Sequence, residues 1–314
     1  MSDVATEHSR REAWWMAARP HTLPAAAAPI FVGVGLAVHE SKFAALPALA
    51  AFVGAALIQI GTNFANDYYD AVKGVDTDER KGFTRVTQSG LIAPAEVKRA
   101  MYLTFAIAIL VGVYLVYVGG LPILLIGLAS VVSGIAYAGG PFPLGSNGLG
   151  DLFVFLFFGV IAVMGTFYVQ AAAVVAAAPF PMGIPEGTVT LAAFVASLPV
   201  AAISTNILVV NNIRDLETDK EAGKQTLAVI IGYGASRAEY VGMLALAYLA
   251  PFWFWLEAGY SPAVLLPLVT LPYAAKITQT VLSDTSGEAL NPALEQTGKL
   301  LAGHSVLFAL GMLV

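Results

Sequence analysis

The sequence predicts an all-α integral membrane protein of nine transmembrane helices, folded as one domain over residues 1–314. Three observations carry this expectation. Of the 314 residues, 58% are hydrophobic and only 12% charged, with a mean hydropathy of +0.75, whereas a soluble domain carries roughly 25% charged residues. Nine apolar runs approach the roughly 20 residues that an α-helix needs to cross the hydrocarbon core. Lysine and arginine gather in alternate connections between those runs, as the positive-inside rule requires.

Taken in order, residues 1–21 form an N-terminal segment expected on the cytoplasmic side. Within it, residues 9–19, with Trp14 and Trp15 beside Arg10, Arg11 and Arg19, read as a helix lying on the inner leaflet. The expected spans are 22–38, 43–62, 100–118, 121–138, 152–173, 190–210, 240–256, 262–282 and 300–314. Pro20 and Pro24 mark the entry to the first span, and the first and last spans are short. Frequent Gly and Ala permit close helix approach. No stretch reads as a cleaved signal peptide.

With the N-terminus inside, the inner connections hold Arg10, Arg11, Arg19, Lys73, Arg80, Lys81, Arg85, Lys98, Arg99, Arg214, Lys220, Lys224, Arg237 and Lys299. Lys276 lies near the inner end of the eighth span, and Lys42 alone falls outside. This distribution predicts a multi-pass cell-membrane protein with its N-terminus and charged loops in the cytoplasm. The absence of cysteine excludes disulfides, zinc–thiolate sites and iron–sulfur clusters. No nucleic-acid partner is expected.

Two inner connections, 63–99 and 211–239, are long and charged, and each follows an even-numbered span. Each opens on an Asn/Asp motif: Asn63-Phe-Ala-Asn66-Asp67-Tyr-Tyr-Asp70, and Asn211-Asn212-Ile-Arg214-Asp215-Leu-Glu217-Thr-Asp219. Their parallel suggests an internal duplication. A third inner connection, 139–150, is rich in Gly and Pro and uncharged until Asp151, so it reads as turns.

Residues four apart share one helix face. Asn63 therefore aligns with Asp67, Asn66 with Asp70, and Asn211 with Asp215 and Asp219. Carboxylates at the mouth of a bilayer are costly unless something pairs with them. Two such oxygen-rich faces suit Mg²⁺, which takes hard oxygen ligands and completes its shell with substrate phosphates. Lys73, Lys81, Arg85, Arg214 and Lys224 are placed to neutralise phosphate charge, Arg offering the better fork. The competing readings are solvated loop charges and an ion-coupled transporter. Transporter sites, however, lie near the bilayer midplane.

These motifs resemble those of the UbiA superfamily of intramembrane prenyltransferases, and the resemblance covers almost the whole chain. It is carried by Asn66-Asp67-Tyr-Tyr-Asp70-Ala-Val-Lys73-Gly74, by Arg85-Val-Thr-Gln-Ser-Gly90, by Gly139-Gly-Pro-Phe-Pro-Leu-Gly145, and most specifically by Asn212-Ile-Arg214-Asp215 through Lys224-Gln-Thr-Leu-Ala228. The same stretches are similar to the branch that prenylates 1,4-dihydroxy-2-naphthoate in menaquinone synthesis. The resemblance implies a UbiA-like bundle capped on the cytoplasmic side by loops and short helices.

It further implies Mg²⁺ held by Asn66, Asp70, Asp215 and Asp219 against the diphosphate of a polyprenyl diphosphate. Arg85, Lys73 and Lys224 would contact diphosphate oxygens, with Asn63, Asp67, Asp76, Asn211 and Arg214 as further contributors. Asp70, Asp215 and Arg85 would promote departure of the leaving group. Read from the residues alone, Tyr68, Tyr69 and Tyr137 suit shielding of an allylic cation by cation–π contact, Tyr137 being the candidate taken forward, with an interfacial aromatic belt as the competing reading. Ring attack at the carboxylate-bearing carbon, loss of CO₂ and tautomerisation would follow. Asp151, where the naphthoate branch implies Glu, would position the acceptor or cap a helix. Members that prenylate 4-hydroxybenzoate carry Lys four residues after the tyrosine; here Pro141 follows Tyr137, which disfavours that acceptor. A chlorophyllide-type ring or a lipid acceptor stays open as an alternative.

Overall fold

The structure is a computed structural model that describes residues 9–73, 86–87, 89–138 and 143–314. The calls on Asp76, Arg80, Lys81 and Arg85 fall outside the described residues, as do the side chains of Asp70 and Lys73.

The expected surface helix is α1 (Arg10–Ala18). It starts where it does because Ser9 and Glu12 form a reciprocal capping box: Ser9 N–H donates to Glu12 Oε2 at 2.7 Å, and Glu12 N–H donates to Ser9 Oγ at 3.3 Å. It ends at Arg19 in the left-handed region (φ 50°), and a turn at Pro20–Thr22 leads into α2 (Leu23–His39). Ala13 and Ala17 are buried, and Trp14 meets Phe64 edge-on at 5.7 Å between ring centres. That contact holds α1 against α3 (Ala45–Lys73), the helix that carries the first motif.

Helix α4 (Pro94–Ala138) has 45 residues, about 68 Å if straight, more than twice a hydrocarbon core of roughly 30 Å. It breaks at Gly120 (φ 70°, ψ −156°), between the expected third and fourth spans. Only glycine takes that conformation cheaply, and a Cβ there would collide with Pro181. The break is held by Leu121 N–H donating to Pro181 O at 3.0 Å and Tyr168 Oη–H donating to Gly119 O at 2.9 Å.

Next come α5 (Gly150–Val175), α6 (Leu191–Glu221), α7 (Leu227–Leu256, broken at Gly232), α8 (Pro262–Ser283, beginning as a 3₁₀ helix) and α9 (Gly287–Met312). Among the described residues the fold is helical, with one isolated parallel bridge, Asn147 to Gln225. Six helices (α3 to α8) are long and apolar enough to cross a membrane, or seven if α1 and α2, bent by 56°, form one span. This is a multi-pass membrane architecture, but length and apolarity do not by themselves reach nine crossings. The shortfall has physical sources: α2 has only 17 residues, α4 is a single broken helix, and α9 begins with a polar half.

Helix α6 is central. Its most apolar window is 72% buried within the protein, against 11% for α4, which presents its side chains outward. The connection expected over 211–239 is much shorter in the structure. Helix α6 runs on to Glu221 and α7 starts at Leu227, leaving only 222–226 between them. Charge at 214–221 reads as loop in a hydropathy scan, yet Asn211, Asp215 and Asp219 keep helical spacing, so the helix continues past its apolar length.

Candidate active site

Asn211, Asp215 and Asp219 lie along the extension of α6 and line one wall of a cavity of about 230 Å³. The facing wall comes from Tyr137 at the end of α4, from Gly145 and Ser146, and from Lys224 and Thr226. Local hydrogen bonds bring these walls together. Lys224 N–H donates to Asp219 O at 2.9 Å, after a left-handed turn at Gly223 (φ 73°). Gln225 N–H donates to Ser146 O at 2.9 Å, which stitches the Gly/Pro-rich connection onto the second motif.

Asp215 and Asp219 each already hold a cationic side chain. Arg214 donates to Asp215 through Nε to Oδ1 (2.7 Å) and Nη2 to Oδ2 (2.6 Å). It also donates to Asn211 Oδ1 and to Asn291 Oδ1, both at 2.8 Å. Such a planar fork fixes the carboxylate's orientation. Lys224 Nζ donates to Asp219 Oδ1 at 2.6 Å. On the α8–α9 connection, Asp284 accepts from the backbone N–H groups of Ser286 and Thr285, both at 2.8 Å. Hydrogen bonding, from Ser286 first, holds its carboxyl below the ordinary value.

A second cavity of about 380 Å³ is lined by Ala25, Val154, Phe158, Ser204, Ile207, Leu208, Asn211 and Leu294. Leu208 and Asn211 belong to both linings, so a polar chamber adjoins an apolar one between α2, α5, α6 and α9. Val154 and Phe158 sit at or beside a π-helical stretch of α5, Phe155–Ile161, an irregularity frequent at functional sites.

The first motif divides its duties. Asn63 is buried, and its Nδ2 donates to Ala18 O at 2.9 Å and Thr22 Oγ1 at 3.0 Å, tying α3 to the start of α2. Asp67 is also buried; Thr87 Oγ1–H lies 2.9 Å from both Asp67 Oδ1 and Asp67 O. These two side chains thus hold neighbouring chain segments. Asn66 is exposed on the same helix, one turn before Asp70. The ties at Ala18 and Thr22, with Ala25 in the apolar chamber, put the two motifs at one end of the bundle. Asn63→Ala is expected to lower stability by about 1–3 kcal/mol, the sum of two lost hydrogen bonds at about 0.5–1.5 kcal/mol each, with Gln59 Nε2 still reaching Thr22 Oγ1 at 3.2 Å. An unchanged thermal unfolding midpoint would refute this.

Asp151 is 5% exposed. It sits in the first turn of α5 but is not the N-cap, a position taken by Leu149 without a side-chain cap. Sequence reading missed Asn291, which orients Arg214 from α9, and Thr226 and Ser204 in the chamber walls. Nothing in the local sequence marks them, since their role arises from distant chain segments meeting.

Among the described residues no three His, Cys, Asp or Glu side chains converge as a metal cluster. The donor set nevertheless suits Mg²⁺. Two carboxylates and an amide oxygen at steps of four line a polar cavity, and Mg²⁺ binds proteins through one or two carboxylates plus substrate phosphates.

The chain is 36% identical over 310 residues to a 1,4-dihydroxy-2-naphthoate octaprenyltransferase of Escherichia coli, covering 97% of this chain and 96% of that protein. It is 37% identical over 285 residues to the protein of the same name from Mycobacterium tuberculosis, covering 91% of each. A UbiA homolog from Aeropyrum pernix shares the fold at a TM-score of 0.61 and 14% identity, covering 93% of this chain and 96% of that one. A UbiA homolog from Archaeoglobus fulgidus, solved with DMAPP and Mg²⁺, superposes at a TM-score of 0.57 and 16% identity, covering 94% and 98%. The UbiA prenyltransferase family model matches residues 26–297, and the chain belongs to that family.

Proposed function

We propose that this enzyme transfers a polyprenyl group from polyprenyl diphosphate to 1,4-dihydroxy-2-naphthoate, releasing CO₂ and diphosphate and giving demethylmenaquinone at the quinol level. The observation that carries the reading is the adjoining pair of chambers, which share Leu208 and Asn211. One is lined by Asn211, Asp215, Asp219 and Lys224, and the other is apolar. A substrate that is a polyanion at one end and a hydrocarbon at the other fits such a pair. The choice of acceptor rests on the naphthoate prenyltransferases that match nearly the full chain. The proposed setting is the cell membrane, with the motif end facing the cytoplasm.

Within this reading the chain's own residues divide the work. Arg214 holds Asp215 in one orientation, itself fixed by Asn211 and Asn291. Lys224 places a cation at the cavity wall within reach of a diphosphate oxygen. Asp215 and Asp219, with Asn66 and Asp70 from the first motif, would hold Mg²⁺. Bound there, the metal would neutralise charge developing on the leaving diphosphate. Tyr137 presents a ring at the polar chamber, suited to an allylic cation. Val154, Phe158 and Leu208 exclude water from the donor's hydrocarbon end.

The test is an acceptor panel with one polyprenyl diphosphate and purified protein in lipid. The naphthoate should be prenylated with stoichiometric CO₂, and 4-hydroxybenzoate should not. Chelation by EDTA should stop turnover and added Mg²⁺ should restore it. Preferred use of 4-hydroxybenzoate, or turnover indifferent to EDTA, would contradict the reading.

A further inference from the structure

Asp151 is the one acidic side chain of α5 near the two chambers, and no metal or diphosphate role accounts for it. It is 95% buried, the complement of its 5% exposure. Neither carboxylate oxygen has a hydrogen-bond partner among the described residues, apart from its own backbone N–H. A carboxylate in the first turn of a helix gains about 0.3–1 kcal/mol from the helix dipole. Burial without a partner costs about 1–3 kcal/mol, more when charged. Helix capping therefore does not explain the residue, and a ligand that donates a hydrogen bond does.

Its position identifies that ligand. Asp151 lies one α-helical turn before Val154, which lines the apolar chamber. The preceding Gly150 backs onto the polar chamber: a Cβ there would lie 3.3 Å from Tyr137 Oη and 3.4 Å from Leu208 Cδ2. Asp151 thus lies beside the seam of the two chambers, between Gly150, which backs onto Tyr137 and Leu208, and Val154, and the donor's reactive end must lie at that seam if its diphosphate and its tail occupy the two chambers. Tyr137 from α4 and Glu239 from α7 are both within electrostatic reach of it. Two acidic groups repel a diphosphate. With no third ligand among the described residues, they do not form a metal site. A neutral or hydroxyl-bearing group is what such a seam accepts.

Resting on the function proposed above, we infer that Asp151 is a catalytic residue that takes and returns the proton of the acceptor hydroxyl next to its carboxylate. Prenyl C1 bonds to the carboxylate-bearing ring carbon as its bond to the diphosphate oxygen breaks. The neighbouring ring hydroxyl gives its proton to Asp151, leaving a β-keto carboxylate. The bond to CO₂ then breaks, its electron pair flows to the ring carbonyl oxygen, and Asp151 returns the proton to that oxygen. The products are the prenylated quinol, CO₂ and diphosphate. No oxidant is consumed, and Asp151 ends as it began.

The test uses full-length wild type and variants in lipid nanodiscs with Mg²⁺, polyprenyl diphosphate and 1,4-dihydroxy-2-naphthoate. Asp151→Asn should lower kcat by about 10²-fold or more, the usual contribution of a positioned acid–base group, with KM for the diphosphate donor within about threefold. Asp151→Glu should keep at least about a tenth of the wild-type rate, and added formate should raise the rate of Asp151→Ala by about tenfold without affecting wild type. An Asp151→Asn enzyme within about threefold of wild type would overturn the shuttle. So would an Asp151→Glu enzyme and a formate-supplemented Asp151→Ala enzyme that are both as slow as Asp151→Asn. Should Asp151→Asn fail to insert, the Glu and formate arms decide. A wild type that makes no prenylated quinol overturns the proposed function itself, whereas wild-type turnover beside an unimpaired Asp151→Asn overturns only the shuttle.

Discussion

Asp215→Ala is expected to reduce prenyl transfer by about 10²–10³-fold in kcat, the scale of losing one preorganised electrostatic group at a site of developing charge. In the structure Asp215 is the hub of the second motif, gripped by both arms of the Arg214 fork and reached by Asn211 Nδ2 at 3.4 Å. Removing it takes away a proposed metal ligand and frees Arg214 from the carboxylate that orients it. Asp215→Asn separates these effects, since an amide oxygen still accepts from Nε while the negative charge is gone. Asp70→Ala should match Asp215→Ala if both motifs grip one metal–diphosphate unit. Membranes carrying each variant at wild-type abundance, assayed for diphosphate release, give the answer. Wild-type turnover by either alanine variant would dismiss the two-part clamp.

Gly159→Leu should be strongly damaging although it touches no charged residue. A Cβ on Gly159 would overlap the Cα and Cβ of Ala201, so α5 and α6 touch backbone to backbone at this point. The contact lies in the π-helical stretch that flanks the apolar chamber. Overpacking of this kind costs about 1–3 kcal/mol and sometimes more. Here it would also push Val154 and Phe158 away from the chamber wall. A lowered unfolding midpoint together with lost activity is the expected result. Gly159→Ala should be milder in both. A fully stable, active Gly159→Leu protein would show that the helices do not meet so closely.

Much of the site could be read from residue order. The four-residue steps of Asn211, Asp215 and Asp219 describe a helical stripe, and the structure puts that stripe along one cavity wall. Lys224 and Tyr137 also stand at this cavity as expected. Spacing could not separate residues that face a substrate from residues that face another helix. Asn63 and Asp67 have the same four-residue step, yet their side chains bind the start of α2 and Thr87. Helical periodicity defines a face, but the neighbours on that face come from elsewhere in the chain.

By itself the sequence determined the class of the protein and the location of its charge. An apolar excess of this size is stable only in a bilayer, and within a bilayer backbone hydrogen bonding leaves helices as the open-sheet-free solution. It also marked candidates for holding phosphate and metal, because hard oxygens and fixed cations are legible one residue at a time. Tertiary structure alone decided that the Gly/Pro-rich connection folds over the second motif through Ser146 and Gln225. It decided that Arg214 is oriented by Asn291, 77 residues away. It also left Asp151 buried beside the two chambers, with no hydrogen-bond partner among the described residues beyond its own backbone N–H. Those outcomes depend on which distant surfaces pack together, a cooperative property of the whole bundle that no local pattern encodes.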